Sequence, residues 1–461
     1  MNKTFINSVL NTLNVKSIIG LVDMAKIKDA LQDLNPWWKE EFKIEFKERE
    51  IYWQFQKFMP LPQIIAFTGL RRVGKTTMMF KIVEDAIRNG FDSRNIIYFS
   101  FDEFREAEIR EIMKEYEGLM EKNCRKEKYL LLLDEIQKLS NWENQLKQIY
   151  DIFRKNIKII ISGSESLFIR KKSKETLAGR IFEFKIESLS FREFLCFKGV
   201  EFKPVGLYEK ELIKLFNEFT LTLGFPELVG IKEKDVIKKY VNESILEKII
   251  YRDIPKSFKI KDVSVIESLL NIFMEEPGQL VEVSKLAKEL KISRQTLSNY
   301  LMYLKESFLI RKVYNFSKSR RKVERKLKKY YPTIISADLL FKEDLLSKSK
   351  VFEWLIVNQL RAEFFWRDPY KNEVDVVMLN KESIPVEIKY GKIDIRSLLA
   401  FLKKFNVNKG YIISSKKEEK QKINGKTIQV VPAFKFLLKY EEKGKPDFGG
   451  CGGGVFEKVI K

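Results

Sequence analysis

Residues 64–77 read Ile-Ile-Ala-Phe-Thr-Gly-Leu-Arg-Arg-Val-Gly-Lys-Thr-Thr, a short apolar run passing directly into G-x-x-x-x-G-K-T. The apolar part has the pattern of a strand buried on both faces, and the remainder predicts a phosphate-binding turn that opens a helix. Gly69 and Gly74 permit left-handed backbone, which aims successive N–H groups inward. Gly69, Leu70, Arg71, Arg72, Val73, Gly74, Lys75, Thr76 and Thr77 therefore form a cradle for a nucleoside triphosphate. Lys75 falls at the helix N-terminus, where its ammonium and the helix dipole both favour the β- and γ-phosphates. Thr76 supplies the hydroxyl that binds Mg²⁺ in loops of this type, so ATP and Mg²⁺ are the expected ligands.

Downstream, residues 129–133 are continuously apolar and end in Asp134-Glu135. At the carboxyl end of a buried parallel strand, Asp134 is placed to hold the Mg²⁺ shell and Glu135 to accept a proton from attacking water. Residues 158–161 form a further apolar strand that runs into Ser162-Gly163-Ser164, where Ser164 is a candidate γ-phosphate sensor; a simple Ser/Gly turn is the alternative. With a strand over 95–101, the order is strand, helix, strand, helix, strand, helix, strand, a doubly wound α/β core.

Five motifs in order, Gly-Leu-Arg-Arg-Val-Gly-Lys-Thr-Thr, Leu-Leu-Leu-Asp-Glu-Ile-Gln, Ile-Ile-Ser-Gly-Ser, Leu-Ala-Gly-Arg (177–180) and Leu-Ser-Phe-Arg-Glu-Phe (189–194), resemble AAA-like archaeal and bacterial ATPases that carry a C-terminal domain of unassigned function. The resemblance implies that Arg180 is an arginine finger or sensor that stabilises charge on the transferring phosphoryl group. If Arg180 serves a neighbouring copy, the protein is a homo-oligomer.

The chain has 461 residues, room for about three ordinary domains. No apolar run approaches the roughly 18 residues needed to span a bilayer, and no secretory cleavage pattern follows the N-terminus, so a soluble cytoplasmic protein with no membrane partner is expected. The absence of histidine excludes imidazole metal sites and histidine-based triads, and Cys124, Cys196 and Cys451 share no ligand spacing. A formal charge of +22 exceeds what a solubilising surface requires and points to a polyanionic partner.

Residues 1–60 read as a helical N-terminal extension broken at Asn35-Pro36-Trp37-Trp38, 61–199 as the ATPase core and 200–270 as a helical lid with a helix stop at 251–255. In 271–332, Ser284 is placed to cap one helix and Ser293 a second, with a tight turn at Lys291-Ile292: a helix-turn-helix. Arg294, Gln295, Ser298 and Asn299 then lie on the outer face of the second helix, where such side chains read base edges. A hairpin-like segment follows, with Lys318, Arg320, Arg321, Lys322, Arg325, Lys326, Lys328 and Lys329. This suits a wing contacting DNA phosphates, with Arg320, Arg321 and Lys322 foremost. The alternative is a packing module without DNA contact.

Residues 333–446 give a helix (351–363), a strand (373–379), a strand (384–390), a helix (395–405) and strands at 410–414 and 427–431, and the glycine-rich tail at 447–461 carries no visible function. This order resembles the restriction-endonuclease-like, PD-(D/E)XK core. The resemblance implies catalytic roles for Asp375, Glu387 and Lys389, with Glu353 as an accessory carboxylate and Asp375 and Glu387 as metal ligands. The residue before Asp375 is Val where the motif name has Pro. Glu387 and Lys389 are two apart on one strand and share a face, and a carboxylate inside the otherwise apolar 374–379 run needs a reason. For Asp375 and Glu387 to share a face, paired positions must have an even sum, which centres the turn at Lys381.

The expected fold is therefore multidomain α/β: a P-loop NTPase with a doubly wound parallel sheet, a helical lid, a winged helix-turn-helix and a restriction-endonuclease-like C-terminal domain. The expected function is ATP hydrolysis coupled to DNA binding and to metal-dependent cleavage. The alternative is an ATP-dependent switch whose nuclease-like domain is inactive and binds DNA or a protein.

Overall fold

The computed structural model describes residues 26–442 other than 103, 105, 106, 165–174, 261, 380 and 381. The first 25 residues, the turn centre at Lys381, Cys451 and the glycine-rich tail lie outside the described residues. The chain divides into two compact units, one ending at Glu187 and the other beginning at Ser188.

In the first unit β1 (Ile64–Thr68), β2 (Ile96–Ser100), β3 (Tyr129–Asp134), β4 (Ile157–Gly163) and β5 (Ile181–Lys185) form one parallel sheet in the order β2-β3-β4-β1-β5. Every residue of β1 and β3 is buried, which is why both read as unbroken apolar runs. The right-handed crossovers that parallel pairing demands are the helices Lys75–Arg88, Ile109–Met120 and Trp142–Phe153. Only β5, half-exposed at the sheet edge, escaped the sequence reading.

The opposite edge, β2, is closed by the N-terminal segment. Asn35 imitates a strand residue: its Nδ2 donates to Tyr98 O at 2.9 Å and its Oδ1 accepts from Tyr98 N at 2.7 Å. The indole N–H groups of Trp37 and Trp38 both donate to Ile96 O, at 3.1 and 2.8 Å. Backbone groups that would otherwise template another strand are thereby occupied. The extension is less helical than expected, since residues 40–49 run without regular structure before the helix Glu50–Gln56.

The second unit starts helical, as expected of 200–270, but the helix does not stop at 251–255. A π-helical stretch, Tyr240–Leu246 and Lys248–Asp253, continues into Ile254–Phe258, so Pro255 stands inside a continuous helical run, where its missing N–H removes one backbone bond to the preceding turn. The helix pair is Val283–Glu289 and Arg294–Glu306, joined through left-handed Lys291. Ser293 caps the second helix by accepting from Thr296 N, whereas Ser284 lies inside the first helix and Glu282 takes the cap position.

After the helix pair the sheets depart from the expected domain plan. The strands β6 (Gln279–Val281), β7 (Ile310–Asn315), β8 (Lys328–Pro332), β9 (Phe364–Arg367) and β10 (Glu373–Val374) make one sheet in the order β10-β9-β7-β8-β6. It runs across the boundary expected at 332/333, because β9 pairs in parallel with β7 through Tyr314↔Phe364. A third sheet, β11-β12-β13-β15-β14, is built from β11 (Val376–Leu379), β12 (Ser383–Lys389), β13 (Lys409–Ser414), β14 (Glu419–Ile423) and β15 (Lys426–Pro432). Between these sheets the helix Arg396–Phe405 buries Leu398, Phe401 and Leu402 against Trp366, Val377 and Ile412. Among the described residues no helix is long and apolar enough to cross a membrane.

Candidate functional site

The parallel register brings the carboxyl ends of β1, β3 and β4 side by side, and the loop after β1 is shaped by backbone that few residues tolerate. Gly69 has φ +146°, and a Cβ there would lie 2.3 Å from Ile186 O; Gly74, at φ +94°, caps the helix Lys75–Arg88. Leu70 and Val73 are buried and pin the loop inward, Arg72 and Thr77 are exposed, and Arg71 lies close enough to act electrostatically on Glu135. The Lys75 ammonium is buried and donates to the Gly69 and Leu70 carbonyls at 3.2 and 3.0 Å. A residue the sequence did not single out secures this loop. Arg49, 5% exposed, donates to Val73 O at 2.8 Å and to Glu187 O at 2.7 Å. No motif marks it, because its partners are carbonyls far along the chain.

Across from the loop, buried Asp134 accepts from the Thr76 hydroxyl at 2.7 Å, from the Tyr98 hydroxyl at 2.9 Å and from the Ser162 hydroxyl. Thr76 and Asp134, the two expected Mg²⁺ donors, are thus in contact. Glu135 takes a left-handed backbone conformation, and its Oε2 accepts from Gln137 Nε2 at 2.6 Å and Ser164 Oγ at 3.0 Å. Burial pushes the Glu135 carboxyl up, but Lys75, Lys138, Arg71 and the Gln137 bond outweigh it and hold the group below the usual carboxylate range. A base kept ionised beside the P-loop lysine can orient water and accept its proton.

Arg180 is not brought to this site. Its carbonyl accepts from Ile64 N at the amino end of β1, and its guanidinium pairs with Asp151 at 3.0 Å. At about 3.3 Å per residue, five-residue β1 sets Arg180 roughly 17 Å from the P-loop of its own chain. A cavity of about 360 Å³ also opens at the amino end of the sheet, against Met59, Tyr129, Arg154 and Lys158, away from the P-loop chemistry. Burial pulls the Lys158 ammonium there down to about 8, while three carbonyls, Phe58 O, Leu61 O and Gln63 O, hold it.

The second unit carries a buried charge cluster. The strand expected over 373–379 breaks at Asp375: Val374 pairs with Trp366 of β9, and Val376 pairs with Val386 of β12. At this corner between two sheets the Asp375 carboxylate takes over from the ladder and accepts from Ile388 N at 2.7 Å. The β11–β12 register has the even parity expected, with Leu379 opposite Ser383, so three residues separate the two strands. Glu387 Oε1 pairs with Lys389 at 2.7 Å, while Glu387 Oε2 is buried without a hydrogen-bond partner. Burial raises the Asp375 carboxyl well above its usual range, reinforced by Glu387 and Glu353; burial also raises Glu387, against the pull of Lys389.

Around them stand residues the sequence reading missed or misplaced. Lys329, expected on the basic wing, is 6% exposed and lies 2.5 Å from Glu373 Oε1 and 3.8 Å from Glu353 Oε1. Tyr331 donates to Glu353 Oε1 at 2.6 Å, and Arg367 to Glu373 Oε2 at 2.7 Å. Among the described residues no three carboxylate or thiol side chains converge to hold a metal ion. On the helix pair, Arg294, Gln295 and Ser298 are exposed, but Gln295 donates to Asn299 Oδ1 at 3.1 Å and Ser298 to Arg294 O at 2.9 Å. Arg320, Arg321 and Lys322 are exposed on the short helix Arg320–Arg325, which lies in the connection of the β7–β8 hairpin, while Lys326 turns inward to Asn315.

The parallel sheet, the glycine-shaped loop and the Thr76–Asp134–Glu135 constellation define a P-loop ATPase domain of the AAA type. In agreement, the family model described as "AAA domain" matches residues 61–195, and two described as domains of unknown function match 213–333 and 349–436. The chain belongs to the same family as an uncharacterized protein of Methanocaldococcus jannaschii, to which it is 30% identical over 406 residues, covering 81% of this chain and 87% of that one. A second uncharacterized protein of that organism is 28% identical, over 82% of this chain and 85% of its own length. Among solved structures, AMPPCP-bound DnaA from Aquifex aeolicus is 16% identical over 57% of this chain and 90% of that one, with a TM-score of 0.27. A STAND protein with a tetratricopeptide repeat sensor from Pyrococcus horikoshii is 11% identical, with a TM-score of 0.26; the match covers 70% of this chain and 46% of that one.

Proposed function

We propose that this protein couples ATP binding and hydrolysis in its AAA domain to DNA binding and metal-dependent DNA cleavage. In this reading Lys75 takes up phosphate charge, and Thr76 and Asp134 hold Mg²⁺, which would neutralise the developing charge. Their fit is supported by the 2.7 Å contact between those two donors and by a loop packed so tightly that a Cβ at Gly69 would lie 2.3 Å from Ile186 O. Glu135 orients the water that attacks the γ-phosphorus and accepts its proton, and Ser164 fixes Glu135. Arg180 serves the site of a neighbouring copy, which makes the active form a homo-oligomer. Mixing Lys75→Ala and Arg180→Ala chains, each inactive alone, is expected to restore part of the ATPase activity, and no recovery removes that role.

For the second unit, residues 271–332 are read as a winged helix-turn-helix and 333–446 as a PD-(D/E)XK nuclease-like domain. The observation that carries cleavage is Glu387 Oε2, a buried carboxylate oxygen without a partner beside Asp375 and Lys389. Such an atom is costly unless a cation completes it. Asp375 and Glu387 would hold that cation, which supplies Lewis acidity at a phosphate, while Lys389 orients water. Exposed Arg320, Arg321 and Lys322 suit phosphate contacts.

One observation favours the reading of a switch without nuclease chemistry: both oxygens of Glu373 and Oε1 of Glu353 are already held by Lys329, Tyr331 and Arg367, which leaves few carboxylate oxygens for an ion. The deciding assay incubates wild type, Lys75→Ala and Asp375→Ala with linear, supercoiled and branched DNA in Mg²⁺ or Mn²⁺, with and without ATP. Cleavage lost in Asp375→Ala supports the nuclease. Tight DNA binding without cleavage by wild type supports the switch.

A further inference from the structure

We infer that Lys329 is a built-in counter-cation that restricts the charge cluster of the second unit to a single divalent ion, bound between Asp375 and Glu387. The inference rests on the metal-site reading above and adds to it what sets the number of ions. Four carboxylates, Glu353, Glu373, Asp375 and Glu387, meet three cations, Lys329, Lys389 and Arg367. Their oxygens are not equally committed. Both oxygens of Glu373 are taken, Oε1 by Lys329 and Oε2 by Arg367, and Glu353 Oε1 is taken by Tyr331 with Lys329 beyond it. Asp375 spends one oxygen on Ile388 N and Glu387 one on Lys389. What remains is one oxygen on each of Asp375, Glu387 and Glu353; the Glu353 side chain is 31% exposed and its free oxygen can be hydrated, whereas Glu387 Oε2 is the atom buried without a partner.

Charge decides how many ions such an enclosure accepts. With all groups ionised the cluster carries one net negative charge, so one divalent ion is tolerated and a second would leave a large uncompensated positive charge away from water. Lys329 also blocks the second position physically. It stands 2.5 Å from Glu373 and 3.8 Å from Glu353, where another ion would need those same oxygens. An ammonium serves here as a permanent cation because β8 delivers it from inside the sheet, 6% exposed and stacked over the Phe365 ring at 5.5 Å. Removing its charge takes the cluster to two net negative charges and frees Glu373 Oε1 beside Glu353 Oε2, while Glu353 Oε1 stays with Tyr331 and Glu373 Oε2 with Arg367; a second ion then leaves two positive charges rather than three, on oxygens that hard divalent ions take.

The test counts Mn²⁺ bound to full-length protein without nucleotide, by electron paramagnetic resonance of free Mn²⁺, with Asp375→Asn as background. Wild type is expected to bind one ion per chain above that background, Lys329→Gln two, and the charge-conserving Lys329→Arg one. Lys329→Met is measured alongside and gives the same count of two, so the answer does not hang on one variant folding; cooperative melting verifies each. A wild type that already binds two ions, or a folded Lys329→Gln or Lys329→Met that stays at one, overturns the role of Lys329 and leaves the metal site standing. A wild type that binds none above background overturns the metal site itself, and the inference with it.

Discussion

Replacing Arg49 with alanine tests whether the P-loop is preorganised by a residue outside its motif. The guanidinium donates to Val73 O and Glu187 O from a position that is 5% exposed. A hydrogen bond from a charged donor is worth about 1.5–3 kcal/mol, so losing both, with Val73 itself buried in the loop, should cost about 3–6 kcal/mol. For a unit of this size that lowers the melting temperature by about 6–24 °C. Part of the loss should reappear on nucleotide binding, because the freed loop must be ordered when phosphate arrives, and affinity should fall at least about tenfold, or 1.4 kcal/mol. Arg49→Lys keeps the charge but offers a single nitrogen in place of the fork that reaches both carbonyls, and should lose about half as much. The assay pairs a thermal melt with titration of a fluorescent ATP analogue. A melting shift under about 2 °C together with affinity within about twofold of wild type would refute the claim that Arg49 holds the loop.

The first unit was legible because each of its signals is local. The strand-loop-helix of 64–77 carries its own φ demands at Gly69 and Gly74, and the apolar run before Asp134 is too short for a buried helix and so reads as a buried strand. What stayed hidden depends on partners distant in sequence. Asn35 acts on Tyr98, Arg49 on Val73 and Glu187, and none of these spacings has a period that a sequence window can detect. The charge cluster shows the same division. Glu387 and Lys389 were readable from the alternation of β12, and the even register followed from requiring Asp375 on their face. Lys329 was misread because a lysine amid basic residues has the composition of a solvated face; only the pairing of β8 between β7 and β6 turns it inward. The place of Arg180 at the amino end of β1 was not legible, because motif order says nothing about which end of a strand a residue precedes, and so the sequence left open whether it serves its own subunit or a neighbour's.

Three further outcomes follow from the same geometry. Glu135→Gln should bind ATP about as well as wild type yet hydrolyse it at least about tenfold more slowly, on the order of 1.4 kcal/mol in barrier, by phosphate release; unchanged turnover removes Glu135 from the mechanism. Replacing exposed Arg320, Arg321 and Lys322 with alanine should make the fall of DNA affinity with salt shallower by about 2–3 in log–log slope, and a wild type that binds no DNA at low salt would end that reading. The last concerns the boundary at 332/333, which looked like a domain border but is crossed by the pairing of β9 with β7 and by the contacts of Lys329 with Glu353 and Glu373. A chain cut after Pro332 keeps the helix pair and the β7–β8 hairpin but exposes one edge of β7 and deprives Lys329 of both carboxylates. Breaking such a buried ion pair costs about 3–5 kcal/mol, a large fraction of the stability of a small domain. A fragment spanning 264–332 should therefore show no cooperative melt, while 264–442 should melt cooperatively. A sharp transition in the shorter fragment would mean that the helix pair and hairpin are an independent module, and that the shared sheet contributes nothing they need.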